Sequence, residues 1–494
     1  MKKRKSRNFN RIRQCNRRDF LKSTAAASAL SIPAISYTRV LGSNERVNVG
    51  VVGLRGRGAE HLSGLRDYVV AVCDCDSQIL AQRAGDFKRT HDRELITYVD
   101  YRELLSNDDI DAISVATPNH THSLISIEAV KSGKHVYCEK PVSHNVWEGR
   151  QLVNAARKFG KIVQSGTQSR SSSAIKRAVQ FVQSGNLGEI QYALGTCFKP
   201  RKSIGKLAHP LTIPKHIDYD LWCGPAEMRE LYRPSLHYDW HWDFNTGNGD
   251  MGNQGIHQMD IARWFLGEQL LAPRVLSIGG RFGYEDAGDT PNTQTVIHIY
   301  ENAPLIFETR GLPSSKQFQD SRWDSSMDNF RGSRVGVIVQ CSGGHVLIPS
   351  YSEATAYDVN GVEIRTWKAA SDHYLNFIEA VKANDTSLLN ADILEGHISS
   401  ALCHVGGVSH QVGEVTPVDS IRESTQEIPL FAESFERMLE HMTANQIDLT
   451  EDALVLGKYL DIDPLTEQVL NSPTANSMMS RDYRPGFVVD AISI

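Results

Sequence analysis

Residues 47–58 read Val-Asn-Val-Gly-Val-Val-Gly-Leu-Arg-Gly-Arg-Gly, and this stretch decides the fold. Its first half is a short β-branched run, typical of a buried parallel strand, and an apparent helix begins near Ala59. Strand, glycine turn and helix in that order are the context in which a dinucleotide binds. Gly53 allows the tight turn, and Gly58 allows close packing of the helix against the strand.

One position departs from the G-x-G-x-x-G pattern of such turns. Arg55 stands where the pattern has its middle glycine, and the glycine follows instead at Gly56. The departure weakens the motif. It also predicts that Arg55 or Arg57 offers positive charge to the pyrophosphate of a dinucleotide.

The next apolar run, residues 69–73, ends in Asp74, which lies 21 positions beyond Gly53. A carboxylate at that place accepts hydrogen bonds from both adenosine ribose hydroxyls and repels a 2′-phosphate. Asp76 is expected to add to that repulsion, and no Lys or Arg occurs within 75–79. The sequence therefore favours NAD over NADP as the cofactor.

Alternating strand and helix patterns continue to about residue 165 and predict a doubly wound parallel sheet. Ligands of such sheets bind at the carboxyl ends of the strands. The loop 117–122 and the motif Glu139-Lys140-Pro141 both lie at predicted strand ends. The cofactor-binding candidates that they add are Thr117, Pro118, Asn119, His122, Glu139 and Lys140.

A second block, residues 249–260, reads Gly-Asp-Met-Gly-Asn-Gln-Gly-Ile-His-Gln-Met-Asp. With the glycine turn, Asp74, the Ala116-Thr-Pro-Asn-His-Thr-His122 run and Glu-Lys-Pro, it resembles the Gfo/Idh/MocA oxidoreductases over about residues 45–420. The resemblance implies an α/β fold: an N-terminal Rossmann domain with a doubly wound parallel sheet, and a C-terminal α+β domain with an open, largely antiparallel sheet that commonly mediates oligomerisation. The expected segments are 1–36 (export signal), 45–165 (NAD-binding), 166–420 (substrate and oligomerisation) and 421–494 (extension).

The resemblance also implies roles for single residues. Lys140 matches the family lysine between nicotinamide and substrate, and His257 matches the histidine often cast as the acid/base. Asn253 falls where many members have Asp, so no Asp–His proton relay is expected, although its amide can orient a hydroxyl. Asp260 is a further substrate-binding candidate. Hydride transfer from a carbinol carbon needs a base that removes the hydroxyl proton. Histidine can be that base because it titrates near neutral pH, and lysine can because burial beside NAD⁺ lowers its pKa.

Residues 237–243 read His-Tyr-Asp-Trp-His-Trp-Asp, which places aromatic rings among hydrogen-bonding side chains. Rings stack on the C–H faces of sugars while polar groups bind the hydroxyls, so Tyr238 and His241 are substrate-binding candidates. Core packing of the tryptophans is the alternative. A metal between His237, His241 and nearby acids is conceivable, but no zinc spacing repeats and hydride chemistry needs none, so we expect no metal.

The first 36 residues differ in charge from the rest of the chain. They hold ten Lys or Arg and one acid, which leaves 43 basic and 57 acidic residues beyond them, a net charge of −14. So acidic a body is a poor match for nucleic acid or anionic lipid. Arg17-Arg18, followed by Phe-Leu-Lys and the short apolar stretch 23–35, resembles a twin-arginine export signal. A disordered basic arm is the alternative.

The signal predicts a periplasmic or otherwise exported protein that uses the twin-arginine export machinery. It is either cleaved near residues 34–36 or retained as a membrane anchor. The seven cysteines beyond it are odd in number and scattered, so no disulfide framework is expected.

The compartment narrows the mechanism, because no ready pool of soluble NAD exists there and the cofactor must be held tightly and regenerated in place. We expect a homo-oligomeric, NAD-dependent oxidoreductase acting on a hydroxyl/ketone of a sugar or cyclitol. The alternatives are a redox-neutral glycosidase or lyase working by oxidation, elimination and reduction, and a nicotinamide-binding protein without turnover.

Overall fold

The computed structural model describes residues 46–320, 322–450 and 454–494. The predicted export signal lies outside these ranges. Residues 47–494 form one compact unit. Within the described ranges, every helix is too short or too polar to cross a bilayer, and the seven cysteines are free, as the sequence predicted.

A six-stranded parallel sheet forms the first half of this unit, and it confirms the predicted doubly wound architecture. Its strand order is β3-β2-β1-β4-β5-β6, which reverses direction between β1 and β4 and so opens a crevice at their carboxyl ends. The strands are β1 Val49–Val52, β2 Val69–Cys73, β3 Ile96–Tyr98, β4 Ala112–Val115, β5 His135–Cys138 and β6 Val163–Ser165. The helices are α1 Arg57–Gly64, α2 Ser77–His91, α3 Tyr101–Leu105, α4 Asn119–Lys131 and α5 Val146–Phe159.

A twelve-stranded mixed sheet forms the second half, and among its described strands the β7–β10 pair is the parallel one. Its main order is β14-β13-β12-β11-β7-β10-β9-β8-β16-β15, with β17 and β18 attached through β8. The strands are β7 Ile190–Phe198, β8 Arg274–Gly280, β9 Thr293–Ile299, β10 Leu305–Arg310, β11 Val335–Cys341, β12 Gly344–Ser350, β13 Glu353–Asp358, β14 Glu363–Lys368, β15 Glu414–Val415, β16 Val455–Leu456, β17 Leu460–Asp463 and β18 Gln468–Val469. The largely antiparallel second sheet is therefore confirmed.

The described second half contains eight α-helices, some of which cover the two faces of this sheet. They are α6 Ser173–Gln183, α7 Tyr219–Cys223, α8 Ile256–Leu266, α9 His373–Ala383, α10 Ile393–Gln411, α11 Val418–Thr425, α12 Pro429–Ala444 and α13 Pro473–Ser477. A π-helical turn, Met251–Gly255, runs directly into α8. Helix α10 packs against helices α5 and α8 and against strand β8. It is therefore buried on nearly every face.

Two segments of the second half extend the cores of the two sheets. Helix α9, inside the expected segment 166–420, puts Phe377 and Ile378 into the core of the parallel sheet with Val49 and Val69. The extension after residue 420 packs on its own chain rather than standing apart. Helix α12 inserts Phe435 into the core behind strands β7 to β10, on one face of the mixed sheet. Oligomerisation through the mixed sheet stays a prediction. Helix α12 already covers part of one face of that sheet.

Candidate functional site

A cavity of about 660 Å³ opens at the carboxyl ends of β1, β2, β4 and β5 and is walled on its far side by the second half. Nearly all of the predicted site residues line it. The two that do not are Gly58, which lies beneath the glycine turn, and Asp260. Most residues that the sequence predicted for the site therefore lie in one cavity. The contacts of several of them differ from those expected.

The glycine turn is shaped as predicted. Gly53 has φ of +85°, and a Cβ on it would lie 2.8 Å from the backbone of Ala116 and Thr117. A Cβ on Gly58 would lie 1.9 Å from the carbonyl oxygen of Gly53, so only glycine permits this contact between helix and turn. Gly56 has φ of +39° and open space beside it. The turn therefore leaves backbone free to approach a phosphate at the start of α1, which fits a dinucleotide.

The two arginines of the turn are already paired with carboxylates. Arg55 Nη2 lies 2.8 Å from Asp76 Oδ2, and Arg57 Nε lies 2.8 Å from Glu139 Oε1. Any positive charge that they offer to a pyrophosphate is shared with these acids. Asp76 also departs from its expected role: it is buried, accepts from the backbone N–H groups that open α2, and does not line the cavity. It anchors Arg55, and its charge still acts on the neighbouring Asp74, whose pKa it raises.

Asp74 does line the cavity, at the end of β2. Its Oδ2 accepts from the N–H of Leu54 at 2.8 Å and its Oδ1 accepts from the N–H of Asp76 at 2.9 Å. Each oxygen keeps a further lone pair for a ribose hydroxyl. Burial raises the pKa of this carboxyl to about 6, more than the two backbone hydrogen bonds lower it.

Glu139 is the buried charge that connects the glycine turn with the Glu-Lys-Pro motif. Its Oε1 accepts from Arg57 Nε at 2.8 Å, Gln168 Nε2 at 3.0 Å and His61 Nε2 at 3.1 Å. Burial alone would raise the pKa of Glu139, but the hydrogen bond from His61 and the charge of Arg57 outweigh it and hold the pKa well below its usual range. Glu139 is therefore ionised. Although it lines the cavity, its hydrogen bonds serve mainly to position the neighbouring side chains.

Lys140 projects from the end of β5 towards the π-helical turn. Its Nζ donates to the carbonyl oxygen of Asn253 at 2.5 Å. Burial lowers the pKa of Lys140, and the charges of Arg57 and Lys199 lower it further, whereas Glu139 raises it. A lysine of lowered pKa can exchange a proton nearer to neutral pH than a free lysine can.

His257 lies on α8 one turn beyond Asn253, and both side chains line the same cavity. Its ring centroid is 4.8 Å from that of Tyr351, and its Nδ1 is buried without a hydrogen-bond partner among the described residues. Burial and the charge of Lys140 hold the pKa of His257 well below its usual value. The expectation that His257 titrates near neutral pH is therefore wrong. Its buried imidazole is neutral, and a neutral imidazole can accept a hydrogen bond.

The 117–122 loop is fixed from both sides. The ring nitrogens of His122 lie 2.7 Å from the carbonyl oxygens of Pro141 and Thr117, so this residue ties the loop to the Glu-Lys-Pro motif. Asn119 donates from Nδ2 to Oδ1 of Asn248 at 3.1 Å, which links the loop to the second half. Thr117, Pro118, Asn119 and His122 all line the cavity.

The aromatic segment 237–243 divides between cavity and core. Tyr238, Trp240 and His241 line the cavity, and Trp240 stacks on His241 with ring centroids 3.6 Å apart. Burial lowers the pKa of His241 to about 3, so its ring is neutral. Trp242 instead turns inward beneath the guanidinium of Arg201, as the core-packing alternative predicted for the tryptophans.

Asp260 is a correction to the predicted substrate site. It is fully buried and accepts from Arg170 Nε at 3.0 Å and from Ser399 Oγ at 2.7 Å. Its carboxylate therefore joins α8 to α10 and cannot reach a substrate. Within the described ranges, no group of three or more His, Cys, Asp and Glu side chains is placed to hold a metal ion.

Sequence reasoning missed a row of polar side chains along the far wall. Lys199 Nζ donates to Gln254 Oε1 at 3.2 Å, and Gln254 Nε2 donates to the hydroxyl of Tyr351 at 2.9 Å. Gln254 adjoins Asn253 in the 249–260 block, so the motif itself pointed to it. Lys199 and Tyr351 follow β7 and β12, and only the order of strands in the second sheet brings them together.

Comparisons with known proteins agree with this geometry. Residues 47–167 match the family model described as "Oxidoreductase family, NAD-binding Rossmann fold", and residues 174–308 match "Oxidoreductase family, C-terminal alpha/beta domain", both of the GFO_IDH_MocA family. An uncharacterized oxidoreductase, YrbE, of Bacillus subtilis is 26% identical over 302 residues, 59% of this chain and 77% of that protein. The myo-inositol 2-dehydrogenase of Thermotoga maritima is 25% identical over 253 residues, 51% of this chain and 64% of that protein.

Solved structures share the fold. A levoglucosan dehydrogenase in complex with NADH and levoglucosan superposes with a TM-score of 0.55 at 16% identity, over 72% of this chain and 95% of that one. An oxidoreductase domain protein from Kribbella flavida gives 0.55 at 17% identity, over 73% and 96%.

The Asp74 carboxylate should control NAD binding through its charge. Because ribose hydroxyls donate to the ionised form, NAD affinity should fall as the pH drops through about 6. Asp74→Asn should weaken NAD about tenfold, remove this pH dependence and narrow the preference over NADP. Calorimetric titration from pH 5 to 8 measures all three, with the exposed Asp92→Asn as the control. Unchanged NAD binding by Asp74→Asn would contradict the ribose assignment.

Proposed function

Because the chain belongs to the Gfo/Idh/MocA oxidoreductases, whose first domain binds NAD, we propose that it moves hydride between NAD and a hydroxyl/ketone pair on a sugar or cyclitol. One observation carries the proposal. Lys140, with a lowered pKa, and the neutral His257 share a cavity with the glycine turn that fits the dinucleotide. This shared cavity supports the proposal, because it would bring proton-transfer groups next to the hydride carrier.

The residues divide the work of oxidation between them. NAD, when bound, accepts the hydride from the carbinol carbon. The Asn253 carbonyl holds Lys140 Nζ, which in its neutral form takes the hydroxyl proton and in its charged form stabilises an alkoxide. His257 offers a neutral ring nitrogen to a substrate hydroxyl. Glu139 keeps both Arg57 and the Lys140 backbone in place through hydrogen bonds.

The far wall supports a polyhydroxylated substrate. Trp240 and Tyr238 offer ring faces, and Asn253, Gln254 and Tyr351 offer hydrogen-bonding groups. The similar T. maritima protein is named for oxidation of myo-inositol, and the similar solved structure binds levoglucosan. Both compounds carry neighbouring ring hydroxyls, which is the feature that this wall suits.

We further propose that the protein is exported with its cofactor already bound. The support is the Arg17-Arg18 signal in the sequence and a glycine turn that permits close backbone contact with a dinucleotide. A tightly held cofactor would then be reduced by one substrate and reoxidised by a second carbonyl compound, without exchange.

Replacing the lysine at the reacting centre tests the catalytic assignment. Lys140→Ala should lower kcat by about 10²- to 10⁴-fold while NAD remains bound, because only the proton-transfer group is lost. In the unmodified protein, kcat/KM should rise with pH through an apparent pKa below the 10.5 of a free lysine. Stopped-flow reduction of bound NAD measures both, and the exposed Lys131→Ala is the matched control. A normal rate in Lys140→Ala would remove Lys140 from the mechanism.

The export proposal is tested in the native host. Joint replacement Arg17→Lys and Arg18→Lys should trap the folded protein inside the cell, since the export machinery reads the arginine pair. Cell fractionation with immunoblotting measures this, and Arg11→Lys with Arg13→Lys is the charge-matched control. Equal export of both double variants would contradict a twin-arginine route.

A further inference from the structure

The cavity end formed by the second half of the chain is positively charged. Lys140 and Lys199 both line it, and their charges lower the pKa of His257 nearby. Among the described lining residues beyond Gln168, none is Asp or Glu. Glu139, the carboxylate beside Lys140, is already bonded to Arg57 and other donors. Glu139 therefore offsets part of the charge of Lys140, whereas Lys199 has no carboxylate among the described lining residues of its end.

Lys199 differs from the other cations of its segment. Arg201 makes two hydrogen bonds to the buried Asp250, at 2.6 and 2.7 Å, and Lys202 faces Asp324 at 3.6 Å. The described hydrogen bond of the Lys199 side chain goes to the neutral amide of Gln254, at 3.2 Å. A partly buried ammonium without a counter-ion is costly, so a cavity that retains one favours a ligand that brings the negative charge.

The neighbours of Lys199 suit an anionic group as well. Gln254 donates its amide N–H to the Tyr351 oxygen, which leaves the Tyr351 hydroxyl proton free to point at a ligand. A neutral sugar would leave the Lys199 ammonium without a counter-ion, whereas a sugar acid supplies one and keeps the ring hydroxyls that the same wall binds. One lysine beside the neutral side chains of Gln254 and Tyr351 suits a monoanion. A phosphate dianion is generally bound by the paired N–H groups of arginine or by a helix N-terminus.

We infer that the substrate carries a carboxylate, as uronic and aldonic acids do, and that Lys199 binds it. The inference rests on the proposed function, because it names the substrate class of the same site. Lys199 thereby acts as a specificity-determining residue: it orients the acid end of the sugar while Lys140 and His257 face the hydroxyl that reacts.

Pairs of sugars that differ only at one carbon test this directly. The NAD-loaded full-length protein is mixed with glucose or glucuronate, and with galactose or galacturonate, and reduction of NAD is followed. In at least one pair the acid should have a kcat/KM at least about tenfold higher, as expected for a charge-assisted hydrogen bond. Lys199→Met should bring the acid-to-neutral ratio close to one, and Lys199→Arg should retain most of it. Lys202→Met, a lysine of the same segment outside the cavity, should leave the ratio unchanged.

The outcomes separate the two proposals. Equal or better use of the neutral sugar in every pair, or an unchanged ratio in a folded Lys199→Met, overturns the carboxylate inference while hydride transfer stands. A preference for glucose 6-phosphate over glucuronate overturns it too, since the anion would then be a phosphate. If neither these sugars nor cyclitols such as myo-inositol reduce NAD, the proposed function fails, and the carboxylate inference then stands as a statement about ligand binding alone. Calorimetric binding of glucuronate and glucose to the NADH-loaded protein then decides: tighter binding of the acid that Lys199→Met abolishes supports the inference, and equal binding overturns it.

Discussion

A buried, ionised carboxylate organises the whole site. Glu139 stands at the carboxyl end of β5, almost without solvent contact, and its charge is stable there only because Arg57, His61 and Gln168 donate to it. These donors come from α1 and from the chain just beyond β6. One acid therefore fixes the glycine turn against the strand that carries Lys140. Removal of this charge would leave buried donors unpaired on the cofactor side and would remove the acceptor of the Lys140 backbone N–H on the other.

A second constraint comes from helix α10, which is buried between the two halves of the unit. Its Ser400 accepts a hydrogen bond from the N–H of Val142, and its His404 is hydrogen-bonded to Ser143. The helix therefore fixes the segment that follows Lys140. On its other side Ser399 holds Asp260 on α8, the helix of His257. The two candidate catalytic residues thus come from separate halves of the chain but are connected through one helix. Helix α10 therefore supports the positions of both candidate residues although none of its own residues lines the cavity.

Local signals in the sequence were enough to predict the first half and its cavity edge. Gly53, Gly58 and the strand ends follow from steric and hydrophobic patterns within a few residues, and the structure confirms their placement. The burial of Asp76 could not be predicted, because His216, which bonds its carboxylate together with Arg55, lies 140 positions away. Asp260 was misjudged for the same reason, since Arg170 claims it from 90 positions away.

The far wall could not be predicted because it depends on strand order. Strands β7 and β12 are each antiparallel to β11, so they run in the same direction and end at the same edge of the sheet. That places Lys199 and Tyr351, which are more than 150 positions apart, on one wall. Neither residue belongs to a motif. Only the folded sheet reveals that the substrate end carries an unbalanced lysine.

The central claim is that a bound nicotinamide is reduced and reoxidised within this cavity. The most direct measurement records the near-ultraviolet absorbance of the purified, folded protein while free sugars, sugar acids, cyclitols and aryl glycosides are added in turn, with aglycone release followed in parallel. The account predicts lasting reduction of the bound cofactor by a free compound, reversed by a second carbonyl compound, without aglycone release. Aglycone release with no net redox change would contradict it in favour of an elimination glycosidase, and a bound cofactor inert to every compound would contradict turnover altogether.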